Sequence, residues 1–116
     1  MVRSFSAFAS TKLVDVVIPS GVKTVKSECF YYCRDLRNVI ISEGVENIDQ
    51  RVFAECKGLV DVTLPKSIKD VPNSAFFNCN AFKKLRYGGT VAEWNAFEDS
   101  KWFDNVTVFC TDGTIN

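Results

Sequence analysis

The sequence predicts a strand-rich solenoid of 23-residue coils with short helical turns, closed at its C-terminal end by a cap. Three observations predict it. First, apolar columns recur at a step of 23 residues with no insertion: Phe30, Phe53 and Phe76 keep the step, and so do Cys33, Cys56 and Cys79. Second, each unit opens with the two-residue alternation of a strand and then meets a breaker. Third, the pattern changes character after Tyr87, where Gly88-Gly89 stops the last strand.

The complete units are residues 13–35, 36–58 and 59–81. Five further columns hold the period: Leu13, Leu36, Leu59 and Phe82; Val16, Val39, Val62 and Leu85; Ile18, Ile41, Leu64 and Tyr87; Val22, Val45 and Ile68; Val25, Ile48 and Val71. In the opening segment Val16 and Ile18 share one face, and Val17 lies on the other. Pro19-Ser20-Gly21, Ser42-Glu43-Gly44 and Pro65-Lys66-Ser67 follow. Proline offers no amide to a ladder and so ends the strand. A second short inward-facing segment comes next, as in Val22-Lys23-Thr24-Val25. Each unit closes on a tight stretch such as Val52-Phe53-Ala54-Glu55-Cys56. One unit cannot bury its apolar face alone, whereas stacked coils bury it against each other about 4.8 Å apart.

Residues 1–12 read as the tail of a preceding coil, with Ala7-Phe8 placed before Leu13 much as Cys29-Phe30 precedes Leu36. The expectation is that the chain starts inside a longer array. Residues 82–87 read as a fourth strand, and residues 88–116 as the cap. Within the cap, Thr90-Val91-Ala92-Glu93 forms a capping box, with Trp94, Ala96 and Phe97 in a short helix behind it. Residues 106–110 read as a strand and Thr111-Asp112-Gly113-Thr114 as a turn. An open solenoid end exposes strand edge and core, so it needs a cover.

Composition narrows the chemistry. The 116 residues suffice for one domain, and 47% of them are hydrophobic. Fourteen basic and fourteen acidic residues cancel, which removes the electrostatic case for nucleic acid as a partner. The chain contains no histidine, which excludes Ser-His-Asp and Cys-His catalysis and every histidine-containing metal site. No enzyme, cofactor or metal is therefore expected. No apolar run reaches the roughly 18 residues of a spanning helix, and no secretory signal follows Met1. The chain thus reads as cytosolic, or as a mature or excised piece of an exported protein.

The unit Leu-x-x-Val-x-Ile-Pro-x-Gly-Val-x-x-Val/Ile, with Phe-x-x-Cys before the next Leu, resembles the BspA-type leucine-rich repeat, also called the Treponema pallidum type. Residues 13–81 match it in every core column. The stretch Tyr87-Gly88-Gly89-Thr90-Val91-Ala92-Glu93-Trp94, with Cys110-Thr111-Asp112-Gly113, looks like the segment that closes such arrays in gut bacteria. Departures fall at Ser42, where the family prefers proline, and at Cys29 and Val52, where it prefers alanine. The resemblance implies a leucine-rich-repeat solenoid at the C-terminal end of an array. It also implies a cell-surface or secreted location in bacteria and a non-enzymatic role in adhesion or host interaction, by binding a protein or glycan of the host matrix or surface. The alternative is a structural spacer and solenoid cap with no ligand of its own. The matching columns are core columns, so the resemblance implies a fold and not a site.

The strand positions that point away from the core supply the candidate binding face: Asp15, Val17, Asn38, Ile40, Asp61, Thr63, Lys84 and Arg86. Val17 and Ile40 are apolar where solvent is expected. The plainer reading, which the sequence favours, is a surface row chosen for strand propensity. The cysteine column reads as reduced core thiols, with a single bridge or a metal as lesser alternatives. Cys29 stands in for a buried alanine, and Cys110 is the expected exposed thiol. Trp94 and Trp102 read as plugs of the solenoid end rather than a ligand platform, and at least one of Tyr31 and Tyr32 should be exposed. Residues 1–87 carry 13 basic and 9 acidic residues, a balance of +4, while residues 88–116 carry −4. That asymmetry is compatible with acidic partners on the repeat body or with end-to-end stacking at the N-terminal edge, and its plainer reading is solubility alone; a monomer without membrane insertion is the expected state. Asn105-Val106-Thr107 matches a glycosylation acceptor that matters only in a eukaryotic secretory pathway.

Overall fold

A computed structural model describes residues 11–97, Phe103 and 105–116. Ala7, Phe8 and the rest of the expected preceding tail up to residue 10, together with Trp102, lie outside the described residues. The 23-residue step becomes a parallel ladder. Strands β1 (Asp15–Ile18), β3 (Asn38–Ile41), β5 (Asp61–Leu64) and β6 (Lys84–Tyr87) lie side by side. Val16 pairs with Val39, Val39 with Val62, and Val62 with Leu85, so each column of the sequence is a row across the sheet. The second segment of each coil forms a narrower sheet of β2 (Thr24–Val25) and β4 (Asn47–Ile48). The third coil keeps the path without a strand there: the amide of Lys69 donates to the Glu46 carbonyl, and a 3-10 helix follows at Asn73–Phe76.

Among the described residues the expected helical turns are thus confined to the third coil and the C-terminal segment. In the first two coils Glu28 and Arg51 sit at equivalent positions with φ of 60° and 63°. A left-handed residue breaks a helical run. Tyr32, Glu55 and Asn78 form a second left-handed row, with φ between 60° and 64°. This row reverses the chain at the end of each coil. The turns are stitched to one another: Phe30 N–H donates to Val52 O, and Tyr32 N–H donates to Ala54 O.

The interior is the set of columns. Leu36, Leu59, Val62, Val25, Val71 and Phe53 are all fully buried. Phe30 and Phe53 stack at 5.4 Å, and Phe53 and Phe76 at 5.6 Å, with ring planes within 11°. Each such burial contributes roughly 1.5–3 kcal/mol. At the N-terminal end Leu13 and Val16 are only half-buried, and among the described residues β1 has a neighbour on one side of the sheet.

The cysteine column is more than a filler. None of the five cysteines is bridged to another. Cys56 Sγ donates to Phe30 O at 3.1 Å, and Cys79 Sγ donates to Phe53 O at 3.0 Å. The thiol thus bonds one coil to the carbonyl of the coil before it. Cys29 is buried beside Phe30, as expected, and Cys110 is the one cysteine with partial exposure.

Past residue 87 the period persists. Helix α1 (Val91–Asn95) carries the expected capping box: Thr90 Oγ1 accepts from Glu93 N–H, and Glu93 Oε1 accepts from Thr90 N–H. Trp94 stands 23 residues beyond Val71 and fills the same interior column, packed against Tyr87, Phe97 and Phe103. Strand β7 (Thr107–Cys110) pairs parallel with β6 at the same step, Lys84 opposite Thr107 and Arg86 opposite Phe109. The ladder therefore runs one strand into the segment read from sequence as cap. Only β8 (Gly113–Ile115) turns back, antiparallel to β7. The turn is shorter than the sequence suggests: Thr111 and Asp112 suffice, and Gly113 and Thr114 already belong to β8, as in a two-residue hairpin.

Candidate functional site

Strand alternation fixes which side chains meet solvent. With Val16, Ile18 and their column mates turned inward, Asp15, Asn38, Asp61 and Lys84 form one outward row across the sheet. Val17, Ile40, Thr63 and Arg86 form the next. All eight residues named from the sequence therefore share one face. Strand β7 adds Thr107 and Phe109 to the same two rows. The sequence signal for these two was present, since each lies 23 residues beyond Lys84 or Arg86, but the expected cap masked it.

The face has an apolar half and a polar half. Val17 is 62% exposed and Ile40 47%, and they are direct cross-strand neighbours. Beside them Asn38 Nδ2 donates to Asp15 Oδ1 at 2.7 Å. In the other half Arg86 reaches back one strand and makes a two-pronged contact with Asp61, Nε to Oδ1 at 3.2 Å and Nη2 to Oδ2 at 3.1 Å. Its guanidinium also lies 5.3 Å from the centroid of the Phe109 ring. Asp61 and Arg86 thus cancel as charges and hold each other in place.

At the C-terminal ends of these strands the face sinks into a shallow depression of about 330 Å³, bordered by Ile40, Thr63, Arg86, Ser42, Glu43 and Gly88. The breaker column runs Pro19, Ser42, Pro65, Gly88, and its last three members border the depression. The depression cannot be filled at Gly88, where a Cβ would come 2.9 Å from Lys66 N and 3.4 Å from Glu43 Oε2.

Other features serve the scaffold. On the far side, Glu46 sits between Lys69 at 3.3 Å and Lys23 at 3.7 Å. The Lys69 hydrogen bond and charge, with help from Lys23, hold its carboxyl below the usual range. The Glu93 carboxyl is also held low, first by the Thr90 backbone amide. Tyr32 is exposed and stacks on Tyr31, with Arg34 over one ring and Arg51 over the other. Trp94 is buried as a plug rather than offered as a platform. Burial pushes the Cys79 thiol up to about 12. The hydrogen bond with Cys33, and then burial, push Cys56 up as well. Among the described residues no group of three or more histidine, cysteine, aspartate or glutamate side chains is placed to hold a metal. Nor is any helix among them long and apolar enough to cross a membrane.

Parallel strands at a 23-residue step, a leucine column at the head of each coil and an outward two-row face define a leucine-rich-repeat solenoid. Residues 4–116 match the family profile described as a BspA type leucine rich repeat region of six copies. The chain belongs to that family. A leucine rich cell surface protein from Faecalibacterium prausnitzii A2-165, known from a crystal structure, is similar at a TM-score of 0.76 and 32% identity. The match covers 80% of this chain and 25% of that one, so the chain spans about a quarter of its relative's length. No curated protein sequence matches significantly.

Proposed function

We propose that this chain is a non-enzymatic protein- or glycan-binding module of a bacterial cell-surface protein, acting in adhesion or host interaction. The outward sheet face from Asp15 to Arg86 is its binding surface, and residues 88–116 are the cap that holds the last coil. One observation carries the reading: Val17 and Ile40 stand exposed side by side on a parallel sheet, where the fold asks for nothing apolar. Covering apolar surface returns on the order of 25 cal/mol per Å². The cell-surface relative supports the setting.

The test is a binding assay of the whole chain against host matrix proteins, plasma proteins and mucin glycans. The paired control replaces Val17, Ile40 and Thr63 with charged residues. Saturable binding that the control loses supports the reading. A folded chain that binds none of these ligands sinks it.

A second reading is a spacer, favoured by how completely the repeated columns are spent on the core. Substituting a neutral spacer of equal length would then leave the parent protein's activity intact.

A further inference from the structure

We propose that the depression beside Ile40 docks a basic side chain of a protein partner, its aliphatic stem on Ile40 and Thr63 and its cationic head on Glu43. The inference rests on the binding-face reading above and names the chemistry of one contact within it.

The argument is a charge count around one small hollow. Arg86 is neutralised by Asp61. Lys66 Nζ is drawn away to Glu93, at 3.7 Å. Glu43 remains. Its Oε2 accepts from the backbone amide of Lys66 at 2.8 Å, which fixes the carboxylate at the rim. Among the described residues no cation lies within 4 Å of it. The carboxylate leans inward, since a Cβ on Gly88 would meet Oε2 at 3.4 Å. The hollow thus offers an apolar floor and one uncompensated negative charge at its edge.

Lysine has the matching form. Its methylene stem covers apolar surface while its head stays at a polar rim. A wholly apolar side chain would cover Glu43 without compensating it, and an acidic one would meet it charge to charge. The size agrees, since the depression is of the order that receives a small group.

The test is an amide-resolved NMR titration of the whole chain with Nα-acetyl-lysine N-methylamide, run beside the norleucine analogue, which keeps the stem and lacks the charge. Saturable shifts at the amides of Glu43, Thr63 and Gly88 are expected with the lysine probe, with at least threefold weaker binding of norleucine. Glu43→Gln keeps an acceptor for the Lys66 amide and should weaken the lysine probe about three- to fivefold, the range of an exposed ion pair. Glu43→Lys should erase the preference for lysine. No shift at these amides, equal response to both probes, or an unchanged Glu43→Gln would overturn the proposal. The two readings can fail separately. A host ligand lost in the Val17, Ile40 and Thr63 variant but retained in Glu43→Gln keeps the face and removes the basic contact. Lysine binding at Glu43 with no host ligand does the opposite.

Discussion

The Cys56 thiol donates to the carbonyl of Phe30 at 3.1 Å, and that same carbonyl accepts the amide of Cys33 at 3.3 Å. One coil later Cys79 and Cys56 repeat the arrangement on Phe53. A single carbonyl thus closes its own turn and receives the next coil. Alanine at this column would fill the corner but leave the bridge unmade.

Cys79→Ala is therefore expected to destabilise the fold by about 1–2 kcal/mol, through the lost hydrogen bond and lost packing. Urea unfolding at fixed protein concentration checks it. A shift of less than a few tenths of a kcal/mol would mean that the thiol bond contributes nothing.

Thiol accessibility should follow the burial pattern. Cys110 should react with a disulfide reagent in the folded state, and the four buried cysteines only after denaturation. Burial, then Asp112, raises even the Cys110 thiol, so its reaction should be slower than that of a free cysteine at the same pH. Two fast thiols per folded chain would contradict the packing.

The raised thiols also give the stability a basic limit. Cys79 is raised from 9.0 to about 12, so the folded state keeps a proton that the unfolded state releases. This contribution is fully present below pH 9 and declines as pH rises from 9 toward 12. The slope is on the order of 1.4 kcal/mol per pH unit for each such thiol. Denaturation midpoints measured from pH 7 to pH 11 should fall, and a Cys79→Ala variant should fall less steeply.

The aromatic stack separates core from surface. Phe53→Ala removes the middle ring between Phe30 and Phe76 and should cost about 3–5 kcal/mol, enough to unfold a marginal domain. Phe77, in the next residue column, is 54% exposed, and Phe77→Ala should change stability by about 0.5 kcal/mol or less. Thermal melts of the two variants make the comparison.

Thr90→Ala breaks the capping box of α1 and should cost about 1 kcal/mol. The loss should be local, so hydrogen exchange at residues 91–97 should quicken while the amides of Val39 and Val62 stay protected.

Most of the architecture was legible because one step governs it. The spacing of Phe30, Phe53 and Phe76 predicts stacked rings, and the structure stacks them. What escaped lies where a column changes residue type. Trp94 continues a valine and isoleucine column, and Phe109 continues a row ending in Arg86. Chemical unlikeness hid both continuations of the period. The role of Glu43 was invisible for another reason. It depends on the close approach of Gly88 to Lys66 and Glu43 and on two nearby charges being already paired, which is a property of the folded surface. The eight face residues were found by alternation alone, which gives direction but not partnership, as between Arg86 and Asp61.

The side-chain hydrogen bonds between neighbouring coils join residues 21 to 26 positions apart, from Arg37 with Gly58 to Cys79 with Phe53. No such bond ties the first coil to the fourth among the described residues. Under tension along the solenoid axis, a structure tied this way has no long-range clamp to break first. It peels from an end, and each yielding coil pays out 23 residues of slack before the next takes the load. The repeat is thus also a unit of mechanical give, set by the same step that sets the sheet register.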